Sequence, residues 1–99
     1  MISRQWRCLA HSNRADDYVR HLRAETFPTL RKIPGFIDAS ILSRRLSPGI
    51  EFLIVTRWES LGAIAHFSGP DPEVAILPAR AAEMMIEYDT RARHFEVIE

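Results

Sequence analysis

The 99-residue chain has a single cysteine, Cys8, so it cannot form a disulfide within itself. It also lacks an apolar run near the ~20 residues that a membrane-spanning helix needs, and it has no signal-peptide hydrophobic segment. These features are typical of a soluble protein from a reducing compartment. We therefore expect a cytoplasmic protein with no membrane partner.

A net charge is missing as well, because thirteen basic residues balance thirteen acidic ones. Binding to nucleic acid or to an anionic membrane normally requires an excess of positive charge, so we expect neither. The four histidines are His11, His21, His66 and His94, and they show neither the i, i+4 pairing of a helical zinc site nor a nearby cysteine. The sequence therefore predicts no metal site.

The chain is rich in the residues that build a globular core, with 46% hydrophobic and 26% charged residues. Its length suits one domain, which we expect to span residues 1–99. The densest run of β-branched and aromatic residues, Ile50 to Ser60, predicts a buried strand. Its consecutive apolar residues Phe52 to Val55 point alternately to the two faces of a sheet, so both faces need a cover.

Capping and turn residues divide the rest of the chain into helices and strands. The first half predicts a strand over Ile2–His11 and a helix from Arg14, followed after Pro28 by a kinked continuation or a separate segment that ends before Pro34. It then predicts a strand over Phe36–Leu46 with a hairpin at Ser47-Pro48-Gly49. The second half predicts a helix capped by Ser60 and ended by Gly69, further helix from Asp71-Pro72-Glu73 to Ile86 with a break at Pro78, and a last strand over Tyr88–Ile98.

The resulting order of strands and helices is βαββαβ, which is the ferredoxin-like arrangement. It predicts an α+β fold with a four-stranded antiparallel sheet and helices on one face. The arrangement also serves RNA-binding and metal-chaperone domains, so it does not define a function. The chain has no RNP-like aromatic run and no Cys-x-x-Cys motif, which argues against these two classes.

Short motifs along most of the chain resemble those of the antibiotic biosynthesis monooxygenase (ABM) superfamily. They are Thr56-Arg57-Trp58-Glu59-Ser60, then Ile64, Phe67, Gly69 and Pro78, and the ending Arg93-His94-Phe95-Glu96-Val97. The resemblance implies a dimeric α+β barrel. Members of the superfamily include oxygenases of polycyclic aromatic antibiotic precursors, haem-degrading enzymes and quinol oxygenases.

The motifs of the haem-degrading branch are not matched by this chain. That branch has an Asn on the first strand, a Trp in the helix after the Trp-Glu-Ser run, and an axial His further along. Here no Asn precedes Asn13, Phe67 falls where the Trp would be, and Leu77 falls near the position of the iron ligand. The resemblance therefore implies no haem, and we expect no cofactor.

The function implied by the remaining resemblance is cofactor-independent monooxygenation of a small aromatic substrate of the phenolic, anthrone or hydroquinone type. Such chemistry needs an apolar pocket and a proton acceptor. The candidates are His94 and Trp58 as catalytic residues, with His66 and His11 as further possible bases, and Trp6, His66, Phe67, Met84 and Met85 as substrate-binding residues.

Each candidate also has a purely structural interpretation. Trp58 and Trp6 can anchor a core, His94 can be a satisfied histidine on a terminal strand, and the methionine pair can fill gaps under a helix. His21 is assigned to a solvated helix face. The alternative function is accordingly a non-catalytic ligand-binding or stress-related dimeric barrel protein.

The sequence also predicts a homodimer. If both helical regions cover one face of the sheet, the other face keeps large apolar groups, whichever register the strands adopt. An exposed apolar sheet of several hundred Å² is unusual for a monomer and marks an interaction surface. A two-fold contact between sheets is the commonest way to bury such a surface.

Overall fold

Pairing of the β-branched stretches produces one antiparallel sheet in the computed structural model, which describes all of residues 1–99. Its strands are β1 (Ile2–Ala10), β2 (Phe36–Arg45), β3 (Ile50–Trp58), β4 (Met85–Tyr88) and β5 (Arg93–Glu96). Its helices are α1 (Ala15–His21), α2 (Phe27–Arg31), α3 (Leu61–Ser68) and α4 (Ala79–Ala82), with a 3-10 turn at Ser12–Arg14 and a π-helical turn at Leu22–Thr26.

The strand order is β2-β3-β1-β4, and β5 pairs with the other end of β1. Residues Cys8–Ala10 of β1 pair with β4, whereas Ile2–Gln5 pair with β5. The two short C-terminal strands therefore share one edge of β1 and together take the place of a fourth strand. This order confirms the predicted ferredoxin-like α+β fold.

The register of β1 and β3 defines which face of the sheet the helices cover. Cys8 lies opposite Phe52 and Trp6 lies opposite Ile54. Cys8, Phe52 and Ile54 belong to a cluster of 14 buried residues that also includes side chains of the helices. The alternate residues of β3, Leu53 among them, therefore point to the opposite, open face.

The first helical region is continuous but changes its hydrogen bonding before Pro28. The N–H of Phe27 donates to the carbonyl of Leu22, five residues earlier, which is the bond of a π-helical turn. Pro28 has no N–H to continue an α-helical ladder. The hydroxyl of Thr29 donates instead to the carbonyl of Glu25 at 2.9 Å. The sequence predicted a kinked or separate segment after Pro28, and the structure has a continuous helical region with a π-helical turn before it.

The predicted caps and the predicted hairpin are confirmed. The Ser60 hydroxyl accepts a hydrogen bond from the N–H of Ala63 at 3.2 Å, and Gly69 ends α3 with a φ of 85°. Gly49 closes the β2–β3 hairpin, where its carbonyl accepts from the N–H of Leu46 at 2.8 Å. A side chain at Gly49 would place its Cβ 2.2 Å from the carbonyl oxygen of Ala10, so this close approach requires glycine.

The prediction of a helix from Glu73 to Ile86 is wrong over most of its length. Asp71 caps only a turn, through a hydrogen bond from the N–H of Glu73, and the helix is restricted to α4. Val74 forms a β-bridge with Arg91 instead. Pairing with a distant segment thus overrides the local helical signals, and Met85 and Ile86 belong to β4.

The last strand is correspondingly split, whereas the sequence predicted one strand over Tyr88–Ile98. Between β4 and β5 the chain leaves the edge of β1 and pairs with the segment after α3. The N–H of Ala92 donates to the carbonyl of Glu73 at 2.8 Å, and the N–H of Ala75 donates to the carbonyl of Thr90 at 3.2 Å. This pairing holds residues 73–78 against the helix-covered side. None of the helices is long and apolar enough to cross a membrane.

Candidate functional site

A cavity lies between the helix-covered face of the sheet and the first helical region, with residues 76–78 at one side. The space free of protein atoms in and immediately outside it, open solvent included, is about 560 Å³. Most lining residues are apolar. They are Arg4 and Trp6 of β1, Tyr18, His21, Leu22, Thr26, Phe27 and Leu30 of the helical region, Ile54 and Thr56 of β3, Phe67 of α3, and Ile76, Leu77 and Pro78.

His21 is the imidazole that reaches this cavity. Its side chain is buried, with 7% of the residue exposed, and its Nδ1 lies 2.8 Å from Oε2 of Glu25. Its Nε2 has no hydrogen-bond partner in the protein. Since no fully buried side-chain nitrogen or oxygen lacks a partner in this chain, Nε2 must be accessible to solvent space. A carboxylate on Nδ1 fixes the tautomer in which Nε2 is the free base. His21 is therefore placed to accept a proton from a bound ligand.

The Glu25 carboxylate is held in place from two sides. Its second oxygen accepts a hydrogen bond from the Arg80 guanidinium on α4. Desolvation opposes ionisation of this group, but the hydrogen bonds from Arg80 and His21 outweigh it and hold the pKa of Glu25 below its usual value. Glu25 is thus an anionic partner that orients the imidazole.

Arg4 brings a positive charge to the cavity wall. Only 6% of the residue is exposed, and its guanidinium donates to the carbonyls of Pro72 and, at 2.9 Å, Val74. The guanidinium carbon also lies 5.6 Å from the centre of the Phe67 ring, within range of a cation–π contact. Burial lowers the pKa of Arg4 from its ordinary value.

Two of the predicted substrate-binding residues, Trp6 and Phe67, line the cavity. The Trp6 indole donates to the carbonyl of Asp89 at 2.6 Å, which fixes the ring at the edge of the sheet. On the opposite wall, Tyr18 stacks beside His21 with ring centroids 6.4 Å apart. Burial strongly raises the pKa of the Tyr18 phenol, which keeps this group protonated. The walls thus offer aromatic surface, and the Tyr18 hydroxyl is engaged by the buried Cys8.

Trp58 does not line the cavity, because its side chain is fully buried behind it. Its indole N–H donates to Oγ1 of Thr56 at 2.9 Å, and its ring packs against Phe36 and Phe67 at centroid distances of 5.2 and 6.5 Å. Thr56 and Phe67 do face the cavity. Trp58 therefore supports two lining residues from behind, and a direct catalytic role for it stays a prediction.

His94 lies on the same face of the sheet as Trp58 but outside the cavity lining. His94 pairs with Arg4 in the β1–β5 register, and its Nε2 lies 3.0 Å from Nη1 of Arg4. Desolvation and the Arg4 charge lower the pKa of His94, although Glu73 and Asp71 partly offset them. The neutral ring accepts from Arg4, so this nitrogen is engaged. The predicted role of His94 as a base stays untested.

The other predicted site residues lie away from the cavity. His66 is exposed on α3, and His11 is exposed where β1 ends. Met84 and Met85 are buried members of the core cluster, which corresponds to their structural interpretation. These residues do not line the cavity with Trp6 and Phe67. Met85 belongs to a strand rather than to the predicted helix.

Sequence reasoning missed the two polar residues that matter most in the cavity. His21 was assigned to a solvated face, yet it follows Tyr18 by three positions, the spacing of side chains on one side of a helix. Arg4 has the same parity on β1 as Trp6 and Cys8, which was the available signal that it points inward. A charged residue on an apolar parity is easily read as an exception to the strand pattern.

The two residues compared with positions of the haem-degrading branch, Phe67 and Leu77, both belong to the cavity wall. Neither side chain can ligate iron. No group of three or more His, Cys, Asp or Glu residues converges anywhere in the chain to hold a metal ion.

The fold is that of a ferredoxin-like α+β protein, with a largely apolar cavity under its helices. The family model "Antibiotic biosynthesis monooxygenase" matches residues 1–72, and the chain belongs to this family. The recognition made from the sequence motifs is thereby confirmed. A comparison with curated proteins found no match.

Solved structures of the same fold include two monooxygenases. One is a putative antibiotic biosynthesis monooxygenase from Bacillus cereus, with a TM-score of 0.69 and 20% identity over 100% of this chain and 93% of that one. Another is the ActVA-Orf6 monooxygenase of Streptomyces coelicolor with nanaomycin D, with a TM-score of 0.63 and 17% identity over 99% and 88% of the chains.

A third structure of this fold is a haem-type complex. It is an MhuD mutant with two manganese protoporphyrin IX molecules per active site, with a TM-score of 0.67 and 18% identity over 100% of this chain and 96% of that one. Identities this low establish the shared fold, so ligands of these proteins are not thereby ligands of this chain.

Proposed function

We propose that this protein is a cofactor-independent monooxygenase that oxidises a small aromatic substrate, of the phenolic, anthrone or hydroquinone type, in the cavity. The observation that carries the proposal is the imidazole of His21 on an otherwise largely apolar wall, with its Nδ1 on Glu25 and its Nε2 unengaged. Membership of the antibiotic biosynthesis monooxygenase family supports it.

The chemistry requires a carbanion or phenolate that can pass electrons to dioxygen. Nε2 of His21 removes a proton from the substrate, and Glu25 stabilises the imidazolium that forms. The deprotonated substrate reacts with O₂. For an anthrone, the methylene carbon becomes a carbonyl, one oxygen atom of O₂ enters the product, and the other leaves as water with the two hydrogens of the methylene group.

The apolar walls contribute by excluding water from the reacting ring. Trp6 and Phe67 offer aromatic surface to a flat substrate. A base in such surroundings acts on the ligand without competition from bulk solvent.

We propose further that the protein works as a homodimer in the cytoplasm, with the open face of the sheet as the two-fold contact. Leu42 and Phe95 lie on this face with 48% and 49% of their surfaces exposed, and Leu53 and Val55 lie between them half-buried. Ion pairs such as Arg57 with Asp38 lie on the same face. An apolar centre with polar surroundings is the usual composition of a protein interface.

Sedimentation at micromolar concentration tests the dimer. We expect a dimer for the wild type and a monomer for Leu53→Glu, which puts a charge at the centre of the contact. Thr29→Glu, at an exposed site of α2 away from the sheet, is the control and should stay dimeric. A wild-type species near 11.4 kDa would refute the proposed contact.

Oxygen consumption with a panel of anthrones and hydroquinones tests the activity. We expect turnover by the wild type, and its loss in Leu77→Trp, which fills the cavity from its side wall. Ile98→Trp introduces the same side chain at an exposed terminal position and should keep full activity. Binding of these compounds without oxygen uptake would instead assign the chain to the non-catalytic ligand-binding alternative.

Haem titration provides a separate check on the cofactor. We expect no haem complex with an axial histidine, since Leu77 falls near the position of the iron ligand in the haem-degrading branch and Phe67 falls where that branch has a Trp. A saturable change in the haem absorption spectrum that disappears in His21→Ala would refute cofactor independence and assign His21 to the iron.

A further inference from the structure

Arg4 carries a buried charge for which the chain supplies no counterion. No carboxylate lies within salt-bridge distance of its guanidinium, whereas the half-buried Arg7 on the same strand is paired with Glu51. Its contacts are two backbone carbonyls, the His94 ring and the face of Phe67. An unpaired buried charge is costly, and proteins retain such groups where a ligand completes them.

Part of the guanidinium remains free to bind that ligand. Of its five N–H donors, two on Nη1 engage Pro72 and His94 and one on Nη2 engages Val74. The Nε–H and the second Nη2–H have no acceptor in the protein. Since no fully buried side-chain nitrogen lacks a hydrogen-bond partner in this chain, the unpaired Nε must be accessible. Arg4 itself lines the cavity.

The position of His94 makes this arrangement stable. Its Nε2 accepts from Nη1 of Arg4, and the ring sits directly across from Arg4 in the β1–β5 register. The two carbonyls belong to the segment after α3, which the pairing with residues 90–92 holds in place. The guanidinium is therefore fixed by three elements and needs no rearrangement to meet a ligand.

From this geometry we infer that Arg4 binds the carboxylate of the ligand, so that the protein takes an aromatic carboxylic acid. The Nε–H and the remaining Nη2–H are the donors left for a carboxylate, whose two oxygens can accept charge-assisted hydrogen bonds. The ring of the acid then occupies the apolar part of the cavity beside Trp6 and Phe67. His94 is a positioning residue for Arg4.

This inference rests on the cavity of the proposed function, but its test uses binding and needs no turnover. Isothermal titration compares 2-naphthoic acid with 2-naphthamide, which has the same shape and no charge. We expect the acid to bind the wild type roughly 10- to 100-fold more tightly, the effect of hydrogen bonds to a charged group.

Two substitutions at Arg4 locate this preference. In Arg4→Gln the amide can still donate to the Pro72 and Val74 carbonyls, but the preference for the acid should vanish while 2-naphthamide binds as before. Arg4→Lys keeps the charge without the fork, so it should retain only part of the preference. The control Arg23→Met removes an exposed guanidinium from the same protein and should leave both affinities unchanged.

Equal affinity of the wild type for the acid and the amide would overturn the inference, as would a preference that survives in Arg4→Gln. Tighter binding of 2-naphthol than of 2-naphthoic acid would also overturn it and assign Arg4 to a phenolate. An acid preference that depends on Arg4, found together with no oxygen uptake, would keep the inference and refute the monooxygenase. Oxygen uptake without an acid preference would do the reverse.

Discussion

Replacing His21 by Gln is the most direct test of the base. The side chain is buried, and Nδ1 meets Glu25 at 2.8 Å, while Nε2 is the nitrogen that would take the proton. Gln keeps an amide that can donate to Glu25, so the fold should be preserved while the base is removed. A positioned general base contributes about 10²- to 10⁴-fold to a rate, or about 3–5 kcal/mol of barrier.

The assay is steady-state oxygen consumption with the best substrate of the panel. Because the proton transfer occurs only in the transition state, kcat and kcat/KM should fall by the same factor in His21→Gln. Glu25→Gln should give a smaller loss in both, since it removes the orienting charge and leaves the imidazole. Arg20→Gln, exposed on the same helix, is the control.

If kcat of His21→Gln stays within about threefold of the wild-type value, His21 is not the general base, because a threefold loss is far smaller than the contribution of a general base. Each variant must unfold at the same midpoint temperature as the wild type, so that a loss of activity cannot be due to unfolding.

Three further predictions concern stability and can be measured by chemical unfolding. Gly49→Ala should cost about 1–3 kcal/mol of unfolding free energy, because its Cβ would clash with a backbone carbonyl. Gly62→Ala on α3, whose Cβ would make only an ordinary 3.8 Å contact with Oγ of Ser60, should gain up to about 0.5–1 kcal/mol, and equal effects of the two changes would contradict the close approach at Gly49. Trp58→Phe should lower the unfolding free energy by about 1–3 kcal/mol and leave ligand affinity nearly unchanged. A large loss of affinity at wild-type stability would instead show that Trp58 contacts the ligand. Burial and the Arg4 charge lower the pKa of His94 in the folded protein, so on acidification the unfolded chain is protonated at this histidine first. The free energy of unfolding should therefore decline as the pH falls from about 6.5 through the lowered pKa. His94→Gln should flatten that decline.

Local signals in the sequence determined most of the fold. The β-branched run around Phe52, the Ser60 cap, the Gly69 stop and the proline before Thr29 each act on a few neighbouring residues, and the structure has the predicted element at each place. Their order alone indicated the ferredoxin-like arrangement. The aromatic residues Trp6 and Phe67 were also found in advance, because they lie on apolar positions of well-predicted elements.

Only the tertiary structure decided which polar groups share the cavity. His21 becomes buried because the helix packs it against the sheet beside Tyr18, and Arg4 acquires its partners from residues 68 to 90 positions away along the chain. The segment that supplies two of those partners is helical by its own local signals and becomes extended by pairing with residues 90–92. Long-range pairing and register decide such contacts, and neither leaves a periodic trace in the sequence that local propensity can detect.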